Sequence, residues 1–205
     1  PEGEPPTRHI SLYDSDAVQR WLRCHCARLA ADVLEDALAI DPGNFRLREK
    51  VRALRAKPPF RTFMPDPDED AIIALRVDPE AYAGEDAVVL TERKRRLAYD
   101  DHASIVDYCV AVQMLNEEGI GRWEDYRVSV NPHAADVVYL ESKTIKEDGT
   151  VFEAETGLAR VLFKNVQPGD ILYLHYQSTT HVSGALSGNL WDFHLFAFGV
   201  PCLQS

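Results

Sequence analysis

Two hydrophobic periods divide this chain. From Asp16, apolar residues recur at three- and four-residue spacing. Leu22, Cys26, Leu29, Val33, Ala37 and Ile40 fall on one face of a helix. Asp41-Pro42-Gly43-Asn44 stops it. A second helix starts there, with Asn44 as its N-cap and Leu47, Val51 and Leu54 as its apolar stripe. The pair predicts an αα-hairpin. Lys57-Pro58-Pro59 ends it, because proline lacks the N–H and disfavours α before itself. Met64–Asp70 is rich in Pro and Asp and reads as a linker, and Ala71–Leu75 reads as a helical turn.

From Asp86 the period changes to two. Ala87–Thr91, Arg93–Tyr99, Ser104–Leu115, Trp123–Val130, Asp136–Ile145, Val151–Glu155, Ile171–Val182 and Leu190–Phe198 read as strands. Glu147-Asp148-Gly149-Thr150 and Gln167-Pro168-Gly169-Asp170 punctuate them as turns, since Gly supplies positive φ and Pro presets φ. Alternation assigns faces. Val106, Tyr108, Val110, Val112 and Met114 point into a core, while Ile105, Asp107, Cys109, Ala111 and Gln113 point away. Tyr126, Val128 and Val130 form the next inward set, and Leu172, Leu174 and Tyr176 another. Leu190–Phe198 is apolar on both faces and predicts a strand covered on both sides.

The pattern gives a mainly β chain: an antiparallel β-sandwich over 85–205, preceded by a helical hairpin over 1–57 and a linker with a short helical turn over 58–84. At 205 residues, 45% of them apolar, the chain is long enough for a sizeable core. No stretch approaches the ~20 apolar residues of a membrane span. The net charge of −11 is uneven: up to Lys57 basic and acidic residues number 10 and 9, and beyond it 12 and 24. An acidic β part repels phosphate backbones, so nucleic acid is not an expected partner.

Candidate chemistry is sparse. Cys24-His25-Cys26 has the residue types of a metal site, but adjacent helical side chains diverge, so small buried or half-buried helix residues are expected. His175 and His181 share a strand face ~20 Å apart, too far for one ion, and exposed strand-end histidines are the default. A thiol triad drawn from Cys109, His133 and Asp136 has its cysteine mid-strand, without the helix N-terminus that lowers a thiol pKa. Cys202 has no His or Asp after it. No catalytic, cofactor or metal residues are therefore assigned. Arg93-Lys94-Arg95-Arg96 splits two to each face of a strand and suits a sheet edge. Arg48, Arg52 and Arg55 suit a solvated helix face, and Asp66–Asp70 a solvated linker.

Several segments together carry a resemblance. They are Leu115-Asn116-Glu117-Glu118-Gly119-Ile120, Trp123, Tyr126–Val130 with Asn131-Pro132, Leu140–Val151 around Asp148-Gly149, and Val166-Gln167-Pro168-Gly169-Asp170 running to Tyr176. Their order resembles a bacterial domain of unknown function found N-terminal to transglutaminase-like domains, with Asp86–Leu90 as its opening strand. Ala37-Leu38-Ala39-Ile40-Asp41-Pro42-Gly43-Asn44 resembles the close of a tetratricopeptide repeat. The resemblance implies a bacterial, extracytoplasmic protein in which a cysteine-dependent transglutaminase-like (cysteine-peptidase-like) domain follows Ser205. This chain would be a non-catalytic accessory or interaction module that positions that domain or its substrate. The chain is expected to be a fragment, since it starts at Pro1 and ends in an apolar run. The alternative is a free-standing module binding glycan or peptide on a sheet face through exposed aromatics, with Trp123, Tyr173 and Trp191 as the candidate surface.

Overall fold

The computed structural model describes residues 16–99, 103–130, 135–181 and 199–204. The chain divides into two compact units, Pro1–Pro59 and Phe60–Ser205.

In the first unit, α1 (Asp16–Ile40) and α2 (Phe45–Leu54) form the expected hairpin. Asn44 caps α2, its side chain accepting from Leu47 N at 3.0 Å, which satisfies a donor that a helix start leaves orphaned. Val51 is buried on α2. The buried positions of α1 are Ala31 and Leu38, with Ala27 and Leu34 half-buried at the same spacing. The stripe expected to be packed is the exposed one: Leu29 is 58% exposed, Val33 66% and Ile40 88%. A second apolar stripe, made partly of alanine, thus takes the packed face. The arginines of α2 also differ from expectation. Arg48 is buried and donates to Pro42 O at 2.8 Å, Arg52 donates to Pro58 O, and Arg55 ties α2 to Asp32 and Glu35 of α1. Guanidinium forks suit this, because each answers carbonyls or carboxylates with several donors at once.

The second unit is mainly sheet. Five strands pair antiparallel in the order β1 (Ala87–Ala98), β2 (Ala103–Met114), β8 (Ile171–His181), β4 (Ala135–Ile145), β5 (Val151–Glu153). Three short strands form a second antiparallel sheet, β3 (Asp125–Arg127), β7 (Arg160–Leu162), β6 (Glu155–Thr156). The two expected strands before Ala98 are one, broken by a register shift between Val89 and Thr91. The strand expected over Trp123–Val130 shrinks to β3, and Trp123 closes α4 (Glu117–Trp123), capped by Asn116. Leu190–Phe198 lies outside the described residues.

The central sheet has two buried faces. Tyr108, Val110, Val112 and Met114 of β2 join Leu172, Leu174 and Tyr176 of β8, as alternation predicts, and pack with Trp123, Val161 and Phe163. The opposite face is buried too. Cys109, Ala111, Ile171 and Tyr173 cluster with Ile72 of α3 (Glu69–Ile73) and with Leu75, Val77 and Tyr82 beyond it. The stretch expected as a linker is therefore a cover. It carries 3-10 turns at Phe60–Phe63 and Pro79–Tyr82. Three polar contacts clamp it down. Gln113 exchanges two bonds with Val77, N at 2.8 Å and O at 3.0 Å, and Arg76 donates to Gly169 O. Every residue of β2 is buried, so the expected half-exposed strand is a central one.

Both turns form as read. Gly149 has φ +84° and Gly169 φ +93°, the left-handed region that glycine enters without penalty. Lys146 closes the second turn, its Nζ donating to Asp170 at 2.6 Å and to Gln167 at 3.1 Å. β1 is the last strand on its side of the described sheet. Pro201–Gln204 runs beside its first half, with Val89 N donating to Pro201 O at 2.8 Å and Leu203 N to Val89 O at 2.9 Å.

Candidate functional site

The covered face of the central sheet gathers four buried polar side chains, Asp107, Gln113, His175 and Gln177. The period of two puts them there. Asp107 and Cys109 of β2 stand opposite Gln177 and His175 of β8, and β1 sets Arg95 and Arg93 against the same two residues. Glu141 of β4 is level with His175 on its other side, and Lys143 with Tyr173.

Asp107 is the hub. It is 1% exposed and accepts from His175 Nε2 at 2.9 Å, Gln177 Nε2 at 3.1 Å and Arg95 at 2.7 Å, with Arg93 at 3.8 Å. Burial pushes its pKa up, but the hydrogen bonds from His175, Arg95 and Gln177 outweigh that and hold it at about 2. The carboxylate is ionised, so His175 Nε2 carries the proton of their shared bond. Lys143 makes a second brace, bonding Glu69 of α3 at 2.6 Å and Glu141 at 2.9 Å and lying 5.4 Å from the Tyr173 ring centroid. Burial lowers the Lys143 pKa, yet its two carboxylate partners raise it overall. Lys143 in turn holds Glu141 below the ordinary carboxylate range.

A cleft of about 240 Å³ opens beside these groups, lined by Arg61, Asp66, Glu69, Glu141, Tyr173 and His175 among others. Arg61 pairs with Asp66 across 3.2 Å. Asp68 caps α3, accepting from Ala71 N at 3.1 Å. Asp66, Asp68 and Asp70 are exposed, as expected of a solvated stretch, while Glu69 is half-buried against Lys143.

The structure brings together a cysteine, a histidine and an aspartate that sequence reasoning did not combine: Cys109, His175 and Asp107. Their arrangement does not match a working triad. Cys109 is fully buried, and burial raises its thiol to about 11 although a bond from Tyr173 works against it. A nucleophilic thiol needs an adjacent base and a lowered pKa. Among the described residues the Cys109 partner is the Tyr173 hydroxyl, and the imidazole is bound to Asp107. Of the triad weighed from the sequence, His133 lies outside the described residues, and Asp136 stands opposite Thr179, which pairs with Ile105, four positions along β2 from Cys109. His175, expected to be exposed, is 2% exposed because the 60–86 cover lies over that face.

The candidate aromatic surface is not exposed where the structure describes it. Trp123 is 7% exposed and stacks on Tyr126 at 6.1 Å, and Tyr173 is 2% exposed at the back of the cleft. Trp191 lies outside the described residues. Cys24 and Cys26 are exposed on α1, and among the described residues no group of three or more His, Cys, Asp or Glu side chains could hold a metal ion. The one sequence signal at the site is that Asp107, Gln113, His175 and Gln177 are polar residues sharing one face of otherwise apolar strands, and that pattern reads as a solvent-facing face.

No family model matches the chain, and no curated protein does. A solved structure described as a "putative protease" from Parabacteroides distasonis ATCC 8503 is similar at 13% identity and a TM-score of 0.43. The match covers 48% of this chain and 24% of that one.

Proposed function

We propose that this chain is a non-catalytic accessory module of a larger, bacterial transglutaminase-like protein. Its Phe60–Ser205 unit would act as a β-sandwich frame that positions a neighbouring catalytic domain or its substrate. The observation that carries the reading is how the polar face is used. Asp107, His175, Gln177 and Arg95 bond one another, Lys143 bonds Glu69 and Glu141, and Cys109 is buried with a raised thiol. Such groups fix the register of four strands and seat the 60–86 cover. A buried polar network of this kind favours one arrangement of the strands. The order of turn and strand motifs from Asp86 to Tyr176 supports the family part of the reading.

The test has two arms. The purified chain should show no amide hydrolysis or acyl transfer above buffer on peptide substrates carrying Gln or Lys. Turnover that disappears in Cys109→Ala would overturn the non-catalytic reading. The reading frame should continue beyond Ser205 into a transglutaminase-like sequence, and a stop codon there would overturn the accessory reading.

A further inference from the structure

We propose that the cleft beside His175 binds a primary alkylammonium group, the chemistry of a lysine side chain or a free amine. This goes beyond the accessory reading and stands without it. A β-bulge builds the sheet wall of the cleft. The register of β4 against β8 passes from Tyr139↔Tyr176 to Glu141↔His175 and skips Leu140. Strict alternation would send Leu140 and Glu141 to opposite faces, but the extra residue lets both line the same cleft. The 60–86 cover supplies the other wall with Arg61, Asp66, Pro67 and Glu69. At about 240 Å³ the space is smaller than the ~300–1,000 Å³ of sites for drug-sized ligands, so it suits one side chain or one small amine.

Two observations select a cation with N–H donors. The first is an open acceptor. His175 is 2% exposed, and its Nε2–H is given to Asp107. Its Nδ1 bonds no group among the described residues and is not sealed in, so its lone pair opens on the cleft. A nearly buried acceptor gains from a donor brought by a ligand. The second is charge. Arg61 answers Asp66. Glu69 and Glu141 share one Lys143, which bonds only Oε2 of each, so one carboxylate is in excess. On the far side of the imidazole, Arg95 and Arg93 are committed to Asp107 and to Pro65 O. Lys143 also shows which cation these carboxylates accept: an ammonium between them, 5.4 Å from the Tyr173 ring centroid. A ligand ammonium brings three donors, for Oε1 of Glu69, Oε1 of Glu141 and Nδ1 of His175. Its methylenes rest on Leu140 and Pro67. The chain beyond Lys57, with 12 basic and 24 acidic residues, draws cations towards it.

The test is an NMR titration of the full ¹⁵N-labelled chain with Nα-acetyl-lysine methylamide and with n-butylamine. The His175 Nδ1 resonance and the Glu141 amide should shift saturably, with a Kd on the order of millimolar. Nα-acetyl-norleucine methylamide, which lacks the ammonium, should leave both in place. Glu141→Gln should weaken binding roughly tenfold. It should stay folded, because its carboxylate is 48% exposed and Lys143 keeps Glu69. Glu69→Gln should weaken binding in the same direction, and Glu118→Gln, on α4, should change nothing. Tighter binding of the lysine probe would assign the site to a peptide side chain, and tighter binding of n-butylamine to a free amine; either supports the ammonium site. Absence of a saturable His175 shift would overturn the proposal. So would equal shifts with the norleucine probe, tighter binding of Nα-acetyl-arginine methylamide, or unchanged affinity in both glutamine variants.

Discussion

Asp107 shows what one buried carboxylate can do when it accepts three hydrogen bonds. His175, Gln177 and Arg95 donate to it from two strands, and Arg93 stands near. Its pKa in the folded chain, about 2, lies below that of an unfolded aspartate. Its contribution is therefore complete above the ordinary carboxylate range and is lost as pH falls towards the folded value. The size is about 2 kcal/mol. Asp107→Asn should destabilise the chain by about 3–5 kcal/mol at neutral pH, because it leaves Arg95 without its buried counter-charge. Urea melts from pH 7 down to 2 should show that the variant loses stability less steeply at the acid end than wild type. A parallel acid profile would mean that another carboxylate dominates.

At the scale of elements, the alternation in β2 was legible and its surroundings were not. The inward set from Tyr108 to Met114 is where the period of two put it. The opposite face reads as solvent-facing because it holds Asp107, Cys109 and Gln113. Nothing local in 58–84 announces that Ile72, Leu75 and Val77 will cover it. The Pro- and Asp-rich composition that suggested a linker instead supplies caps for short helices, at Asp68 and Asp78. Two substitutions follow. Val110→Asp and Gln113→Asp should both destabilise by several kcal/mol in urea melts, the first by burying a charge without a partner and the second by also losing the paired bonds to Val77. A mild Gln113→Asp would mean that the cover is not seated. In α4, a Cβ on Gly119 would stand 2.1 Å from the Asp86 carbonyl oxygen, a backbone atom with little room to move. Gly119→Ala should lower the midpoint of thermal unfolding by more than Gly121→Ala, whose site is open. On α1, periodicity found a real apolar stripe but could not tell which of two would be packed, since alanines at Ala27 and Ala31 count little in a hydrophobic pattern.

At the scale of the molecule, the two compact units make the division near Pro59 the natural place to cut. A chain beginning at Phe60 should keep the β signature and cooperative melting of its unit by circular dichroism, whereas one beginning at Glu85 should not, because it loses Ile72, Arg76 and Val77 from the cover. That the chain is mainly antiparallel sheet with a helical first part was legible from two hydrophobic periods and two glycine turns. The site was not, because Asp107, Cys109, His175 and Glu141 come from three strands and meet only through register. The central claim is that this polar face is a structural brace and not a reacting centre. Alkylation of the native chain by iodoacetamide at pH 8, followed by mass spectrometry, tests it most directly. Cys24, Cys26 and Cys202 are exposed and Cys109 is buried. The account predicts rapid modification of the first three, with Cys109 modified only after unfolding in urea. Alkylation of Cys109 in the folded chain as fast as that of Cys24, or faster, would contradict it.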